Sequence, residues 1–265
     1  MKEIKTVAVI GYGVVGKAIY SFLRNHYDVI IYDKFNLEYS RNKNYNNCDL
    51  AIVCVPTPSA PDGSCDTSQV EEVISGLKTS FILIKSTVPP GTTDRLSSSY
   101  DKNIVFSPEF CGESSYWSPY KFHNDLMEMP YFIFGGKKEI TKYFVNLYMK
   151  VAGPTKIYKQ TSALNAEMVK YMENCFYATK VVFCHEIARI CETINIDYND
   201  IRELFVLDPR VNPMHTAVFS NKNGLPAGGR CFPKDLSALI EASKKFGYAP
   251  EFLEEVRKSN LRLAK

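Results

Sequence analysis

The amino-acid sequence predicts an α/β fold: a doubly wound parallel sheet followed by a mainly helical part that carries one long helix. Three observations predict it. Short, β-branched apolar runs recur as far as residue 134, each broken by glycine, proline or a polar cluster, and several are followed by a helical pattern. The first of these runs opens directly into a glycine loop. From residue 161 to about 194 there is no glycine or proline, and Ala, Met, Glu and Lys abound, which predicts one long helix or two nearly continuous ones.

In chain order, Ile4 to Ile10 reads as a strand ending at Gly11. Gly11, Gly13 and Gly16 form GxGxxG ahead of a helix through Lys17 and Tyr20. Gly11 permits the tight turn, Gly13 lets bare backbone meet a pyrophosphate, and Gly16 allows close helix packing. Val14 and Val15 complete the candidate cofactor cradle. A second strand, Val29 to Tyr32, ends in Asp33, whose carboxylate can accept bonds from an adenosine ribose and repels a 2′-phosphate. NAD rather than NADP is therefore the expected cofactor, a preference softened by Lys34. This opening is that of a Rossmann-type doubly wound sheet.

Leu50 to Val55 reads as a buried strand that breaks at Pro56-Thr57-Pro58, making Val55, Pro56 and Thr57 cofactor-edge candidates. After the loop Asp62-Gly63-Ser64, Asp66 and Gln69 are spaced as a capping pair for a helix carrying Val70, Val73 and Ile74. Phe81 to Lys85 is a strand ending at Ser86-Thr87 and stopped by Pro89-Pro90-Gly91. Asn103 to Phe106 is another, ending at Ser107-Pro108-Glu109. Tyr131 to Phe134 is one more, followed by a helix from about Glu139 to Lys150. Strands alternating with helices predict a parallel sheet. Gly11, Asp33, Thr57, Thr87 and Glu109 each fall at or just past the carboxyl end of a different strand, the edge where open α/β sheets bind ligands. Singly, Thr87 is an ordinary strand-end cap and Glu109 a solvated loop carboxylate; together the five predict one site.

On the long helix, Lys170 and Asn174 are four apart and share a face, with Glu167 and Ala178 at its edge. An ordinary polar stripe is the plain alternative. Leu164, Met168, Met172, Phe176, Val182 and Phe183 supply apolar contacts, so the helix must pack on the sheet domain or on a second subunit, and a homodimer is expected. Gly228 to Asp235, Gly-Gly-Arg-Cys-Phe-Pro-Lys-Asp, predicts a helix starting at Pro233, whose missing N–H costs nothing in the first turn. Cys231 then precedes a helix N-terminus beside Lys234, with Asp235 in the first turn, a setting that lowers a thiol pKa. A free cysteine in a glycine loop is the alternative.

The totals exclude other classes. The 265 residues, 45% of them hydrophobic, are enough for one large domain or two smaller ones, divided here into 1–158 and 159–265. A formal net charge of +3 with scattered Lys and Arg leaves no footprint for nucleic acid. The eight cysteines form no CxxC pair, so no metal site is expected. Without a secretory or membrane-length apolar run, the setting expected is reducing and cytoplasmic, with no membrane partner.

Taken together, the motifs resemble the UDP-glucose/GDP-mannose dehydrogenases. The resemblance covers almost the whole chain and rests on Val55-Pro56-Thr57-Pro58 with Asp62-Gly63-Ser64, Lys85-Ser86-Thr87-Val88-Pro89, Ser107-Pro108-Glu109-Phe110, Ala166-Glu167-Met168-Val169-Lys170-Tyr171 with Asn174, and Gly228 to Asp235, in the family's order. It implies a Rossmann-type NAD-binding domain (1–158) and a helical central, dimer-forming domain (159–265). It also implies a nucleotide sugar as substrate, most simply UDP-glucose, taken to the acid in two hydride transfers to NAD. Cys231 is then the nucleophile, and Thr87, Glu109, Glu113, Lys170, Asn174 and Asp235 complete the site. Phe110, Gly228 and Lys234 join the substrate contacts, and Arg210 is the family arginine that reaches substrate, often across a dimer contact. The thiolate adds to the intermediate aldehyde, Lys170 and Asn174 stabilise the oxyanion, and Glu109 serves as base while Thr87 and Asp235 order water.

The sequence also departs from the family. Most members continue into a third, C-terminal domain that closes over the nucleotide, and this sequence stops at Lys265. A short form is expected, with either weak affinity or the missing surface supplied by a second subunit or another chain. Val211-Asn212 replaces the usual Ile-Gly, Leu225-Pro226-Ala227 precedes Gly228 in place of Gly-Phe, and His185 stands where Asn is common. Two other readings stay open. One is an NAD-dependent dehydrogenase of the 3-hydroxyacid type, which needs no cysteine. The other is a non-catalytic nucleotide-binding module or half of a split enzyme.

Overall fold

The structure is a computed structural model that describes residues 3–111, 125–219 and 224–264. It divides into two compact units, one of Met1–Pro58 with Asp66–Lys170 and one of Ser59–Cys65 with Tyr171–Lys265.

The first unit holds a seven-stranded sheet of β1 (Thr6–Ile10), β2 (Asp28–Tyr32), β3 (Leu50–Val53), β4 (Phe81–Ile84), β5 (Asn103–Phe106), β6 (Tyr131–Gly135) and β7 (Ile157–Thr161), in the order β2-β1-β3-β4-β5-β6-β7. Helices α1 (Val14–Leu23), α2 (Ser68–Gly76), α3 (Thr92–Tyr100) and α4 (Lys138–Ala152) connect them. Alternate residues of the central strands serve opposite faces. Val7, Val9, Leu50, Ile52, Leu83 and Val105 pack with Ile19 and Phe22 of α1 and Phe144 and Tyr148 of α4. Ala8, Ile10, Ala51, Val53, Ile82, Ile84 and Ile104 pack with Val70 and Ile74 of α2 and Leu96 of α3. Covering both faces explains why these strands read as unbroken apolar runs, and it makes the sheet doubly wound.

Three local expectations are corrected. The sheet is mixed, because β6 meets β5 antiparallel at Phe106 and Gly135, while β6 and β7 pair parallel. An antiparallel neighbour needs no helical crossover, so strand content alone did not reveal the reversal. β7 and α3 were not expected: β7 (IYKQT) is polar and largely exposed, and α3 (TTDRLSSSY) is poor in helix formers. Tertiary contact supports α3, for Glu167 accepts hydrogen bonds from the amides of Gly91 at 2.6 Å and Thr93 at 2.7 Å. The cap of α2 also differs. Asp66 accepts from the Ser68 amide at 2.9 Å, and the N-cap residue Thr67 donates through its hydroxyl to Glu71 at 2.8 Å, so Gln69 is not the reciprocal partner.

The long helix is continuous, α5 (Ala163–Thr193), and the division between the units falls inside it. The expected boundary after residue 158 lies within β7. In the second unit, Tyr171, Cys175, Ala178, Val181 and Val182 of α5 pack with Leu236, Leu239 and Ile240 of α7 (Cys231–Lys245) and Val256 of α8 (Glu251–Arg262). Helix α6 (Tyr198–Phe205) follows α5. The loop Ser59–Cys65 belongs here: at Gly63, with φ +83°, an added Cβ would touch Ser237 and Glu241 at 3.6 and 3.7 Å.

Candidate active site

The glycine loop of the first unit is built to stay close to backbone. Gly11 has φ +91°, and a Cβ there would stand 2.7 Å from the Cys54 carbonyl oxygen; one on Gly16 would stand 2.0 Å from the Gly11 carbonyl oxygen. Gly13, the N-cap of α1, faces open space instead. It supplies no side-chain cap, and the first turn of α1, which begins with Val14 and Val15, holds no acidic residue. The helix therefore presents its first-turn amides and the positive end of its dipole to an anion, the requirement for a pyrophosphate. Asp33 ties this loop to the end of β2, its Oδ2 accepting from the Tyr12 amide at 2.7 Å and its Oδ1 from the Phe35 amide at 2.9 Å. Lys34, expected to soften the discrimination against a 2′-phosphate, pairs with Glu72 at 2.8 Å, so its charge is already engaged. These residues fit a dinucleotide such as NAD.

Further along the same carboxyl edge, the ends of β3 and β4 are pinned together. The Thr57 hydroxyl donates to the Thr87 carbonyl at 2.8 Å, and the Ser86 hydroxyl donates to the Val55 carbonyl at 2.6 Å. Thr57 is buried, Thr87 and Val55 are half-buried, and Pro56 is exposed.

Glu109, just past β5, is a buried carboxylate with only 6% exposure. Its Oε1 accepts from the amides of Phe110 at 2.8 Å and Cys111 at 2.9 Å. Its Oε2 lies 3.2 Å from Lys85 Nζ. Burial pushes this carboxyl's pKa up, but the Lys85 charge and the Cys111 and Phe110 hydrogen bonds overcome it and hold the value below the ordinary range. Burial, with Glu109 adding to it, raises the thiols of Cys54 and Cys111, and it raises the Tyr148 phenol likewise. Lys170 places its ammonium 5.2 Å from the Phe110 ring centroid, a cation–π contact. Glu113 lies outside the described residues.

The second unit carries the thiol. Cys231 is the first residue of α7 and Pro233 the third, so the helix begins earlier than Pro233 suggested; Pro is tolerated throughout a first turn, where its N–H has no partner to lose. Asp235 thus lies beyond the first turn. Gly229, with φ +79°, makes the left-handed step before the helix, and Gly228 does not. The buried Asp235 has both oxygens engaged, Oδ1 by the ammonium of Lys234 and Oδ2 by Asn174 Nδ2 at 2.5 Å. Burial lowers the Lys234 pKa, but Asp235, with Cys65 and Cys231 adding to it, raises it on balance. Arg210 is turned to its own neighbour, paired with Asp208 at 2.6 Å and 89% exposed.

The structure thus gathers the loop residues with Asp33, and Glu109, Phe110 and Lys170, in the first unit. It gathers Asn174, Cys231, Lys234 and Asp235 in the second. Sequence reasoning missed two supporting residues. Lys85 could have been found, because a lysine closing the apolar run Phe-Ile-Leu-Ile calls for a buried partner. Asn260 gave no local signal. From α8 it accepts from the Ala227 amide at 2.8 Å and donates to the Ala227 carbonyl at 3.3 Å, fixing the loop ahead of Cys231.

Residues 28–160 match the NAD binding domain of the UDP-glucose/GDP-mannose dehydrogenase family, and residues 164–262 match that family's central domain. A UDP-glucose 6-dehydrogenase of Rickettsia bellii is 30% identical over 229 residues, 83% of this chain and 50% of the relative. The UDP-glucose 6-dehydrogenase TuaD of Bacillus subtilis is 31% identical over 228 residues, 80% of this chain and 46% of the relative. The chain therefore spans about half the length of the curated relatives it matches. A UDP-glucose dehydrogenase from the hyperthermophilic archaeon Pyrobaculum islandicum shares the fold with a TM-score of 0.82 at 23% identity, over 98% of this chain and 68% of that one.

Proposed function

The chain belongs to the UDP-glucose/GDP-mannose dehydrogenase family, and from that premise we propose that it oxidises the C6 alcohol of a nucleotide sugar, UDP-glucose first, to the carboxylate through Cys231. The observation that carries this reading is the thiol at the start of α7, held next to the Lys234, Asp235 and Asn174 cluster. A dehydrogenase that stops at a ketone or an aldehyde has no use for such a thiol.

When bound, NAD supplies the hydride acceptor. The glycine loop and the first-turn amides of α1 hold its pyrophosphate, and Asp33 receives its ribose hydroxyls. Glu109 takes the proton of the sugar hydroxyl. The Cys231 thiolate forms a bond from sulfur to the aldehyde carbon, and the resulting oxyanion is met by the Lys170 ammonium and by Asn174. Asp235 takes one N–H of the Asn174 amide, which fixes the amide and leaves its second N–H to donate. Loss of a second hydride, to a second NAD, turns the thiohemiacetal into a thioester; water then breaks its C–S bond, releasing the acid and restoring the thiolate, with Thr87 and Asp235 ordering that water and Glu109, its first proton given up to solvent, receiving the proton of the water. Phe110, Glu113, Gly228, Lys234 and Arg210 serve the substrate.

The reading assigns residues 1–158 to cofactor binding and 159–265 to a central, dimer-forming domain. Exposed apolar side chains along α5 support a homodimer: Met172, Phe176, Phe183 and Ile190 are between 51% and 69% exposed. A continuous stripe of this kind seldom faces water in a monomer. Among the described residues no cysteine is joined in a disulfide, which supports a reducing, cytoplasmic setting. Among the described residues, no helix is long and apolar enough to cross a membrane.

The test is incubation with NAD and a panel of nucleotide sugars, counting NADH formed per sugar and weighing the product. Two NADH per new carboxylate is the expected result. One NADH per sugar moves the chain to the 3-hydroxyacid type of chemistry, and NAD binding without turnover moves it to the non-catalytic reading.

A further inference from the structure

The Lys85–Glu109 pair is buried on both sides, with side-chain exposures of 2% and 6%, and it is an unusual ion pair. Lys85 Nζ stands 3.2 Å from Glu109 Oε2, yet its hydrogen bonds run elsewhere, to Ser107 Oγ and the Pro108 carbonyl, each at 3.2 Å. Among the described residues Oε2 makes no hydrogen bond, while Oε1 is held by two backbone amides. A lysine is a compact point charge, so its field favours the ionised carboxylate even when its protons are given to other acceptors. Oε2 is buried, but no donor among the described residues hydrogen-bonds to it, which leaves it the lone pairs that a base requires and an ordinary salt bridge does not.

We infer that Lys85 is a positioning residue of the active site: it keeps Glu109 ionised without hydrogen-bonding Oε2, and Oε2 is the atom that accepts the substrate proton. The groups facing Glu109 are consistent with this assignment. Cys54 after β3, Cys111 beside it and Tyr148 of α4 carry no charge at neutral pH, because burial raises each of them. Lys170 of α5 stands over the Phe110 ring. Lys85 is the cation that ion-pairs with Glu109. Ser107 and Pro108 set the geometry, since they hold the lysine protons that would otherwise block Oε2.

The assignment of Oε2 as base rests on the dehydrogenase reading above; the charge effect of Lys85 does not. Two measurements separate them. Carbon-13 labelling of glutamate carboxyls in the full chain, with Glu109→Gln to assign the signal, follows the Glu109 titration without turnover. Wild-type Glu109 is expected to titrate below the ordinary glutamate range, Lys85→Met to raise its midpoint by at least about one pH unit, and Lys85→Arg to keep it low. An ordinary or raised midpoint in the wild type overturns the inference even if Lys85→Met does not fold, and an unmoved midpoint in folded Lys85→Met does the same. With NAD and UDP-glucose, Lys85→Arg is expected to lose kcat on the order of 100-fold at little change in KM, because a guanidinium fork bonds both carboxylate oxygens and occupies Oε2. Full kcat in Lys85→Arg overturns the base assignment. A wild-type chain that turns over no sugar defeats the dehydrogenase reading and the base assignment with it, while the carboxyl titration still decides the role of Lys85.

Discussion

Glu109 and Asp235 are both buried carboxylates beside a lysine, one in each unit, and the difference between them lies in where the lysine protons go. Lys234 gives a proton directly to Asp235 Oδ1, and Asn174 closes Oδ2. Lys85 gives its protons to Ser107 and Pro108 and lends Glu109 only its charge. The first arrangement makes Asp235 a fixed strut that orients an amide and an ammonium. The second makes Glu109 a carboxylate that is ionised, immobile and still able to receive a proton. Buried ion pairs are therefore not one kind of object, and the acceptors that take the lysine protons distinguish them.

The comparison can be broken in steps of decreasing size. Cys231→Ala removes the proposed nucleophile, and acid formation is expected to vanish; normal turnover to acid, read by product mass, contradicts the covalent role. Glu109→Gln keeps the shape of the carboxylate but removes its basicity, and kcat is expected to fall about 100- to 10,000-fold with the fold intact. The same variant alters stability against pH. Because the folded pKa of Glu109 is depressed, its contribution is present above the unfolded value of about 4.3 and is lost as pH falls through the lower folded value. Denaturant unfolding from pH 6 to pH 2, on the order of five steps, is expected to show a shallower acid loss in Glu109→Gln than in the wild type. Asp235→Asn leaves Lys234 without its anion, and urea unfolding is expected to show a loss of about 3 kcal/mol, as for one partner removed from a buried pair. Glu167, a third buried carboxylate, has backbone amides for partners and, among the described residues, no lysine paired with it. Glu167→Ala is expected to cost about 2 kcal/mol by leaving the amides of Gly91 and Thr93 unsatisfied, with no specific loss of kcat.

Much of this was legible in the residues because it rests on local rules. The central strands are apolar on both faces, and the glycine pattern is dictated by backbone clearances of a few ångströms at Gly11 and Gly16. The continuity of α5 follows from a segment without breakers. What stayed hidden depends on distant partners. α3 is held by a carboxylate from α5, β7 by its pairing with β6, and the Cys231 loop by Asn260 of α8. The site residues were named by type and place, but whether Asp235 or Glu109 keeps a free oxygen depends on the side chains of Asn174 and Ser107, which no spacing in the sequence encodes.

The most direct test of the central claim is the mass of the Cys231 peptide after acid quenching during turnover with NAD and UDP-glucose. A sugar acid joined to Cys231 through a thioester, absent without NAD and absent in Cys231→Ala, is the predicted result. Acid produced while Cys231 stays unmodified throughout turnover would contradict it.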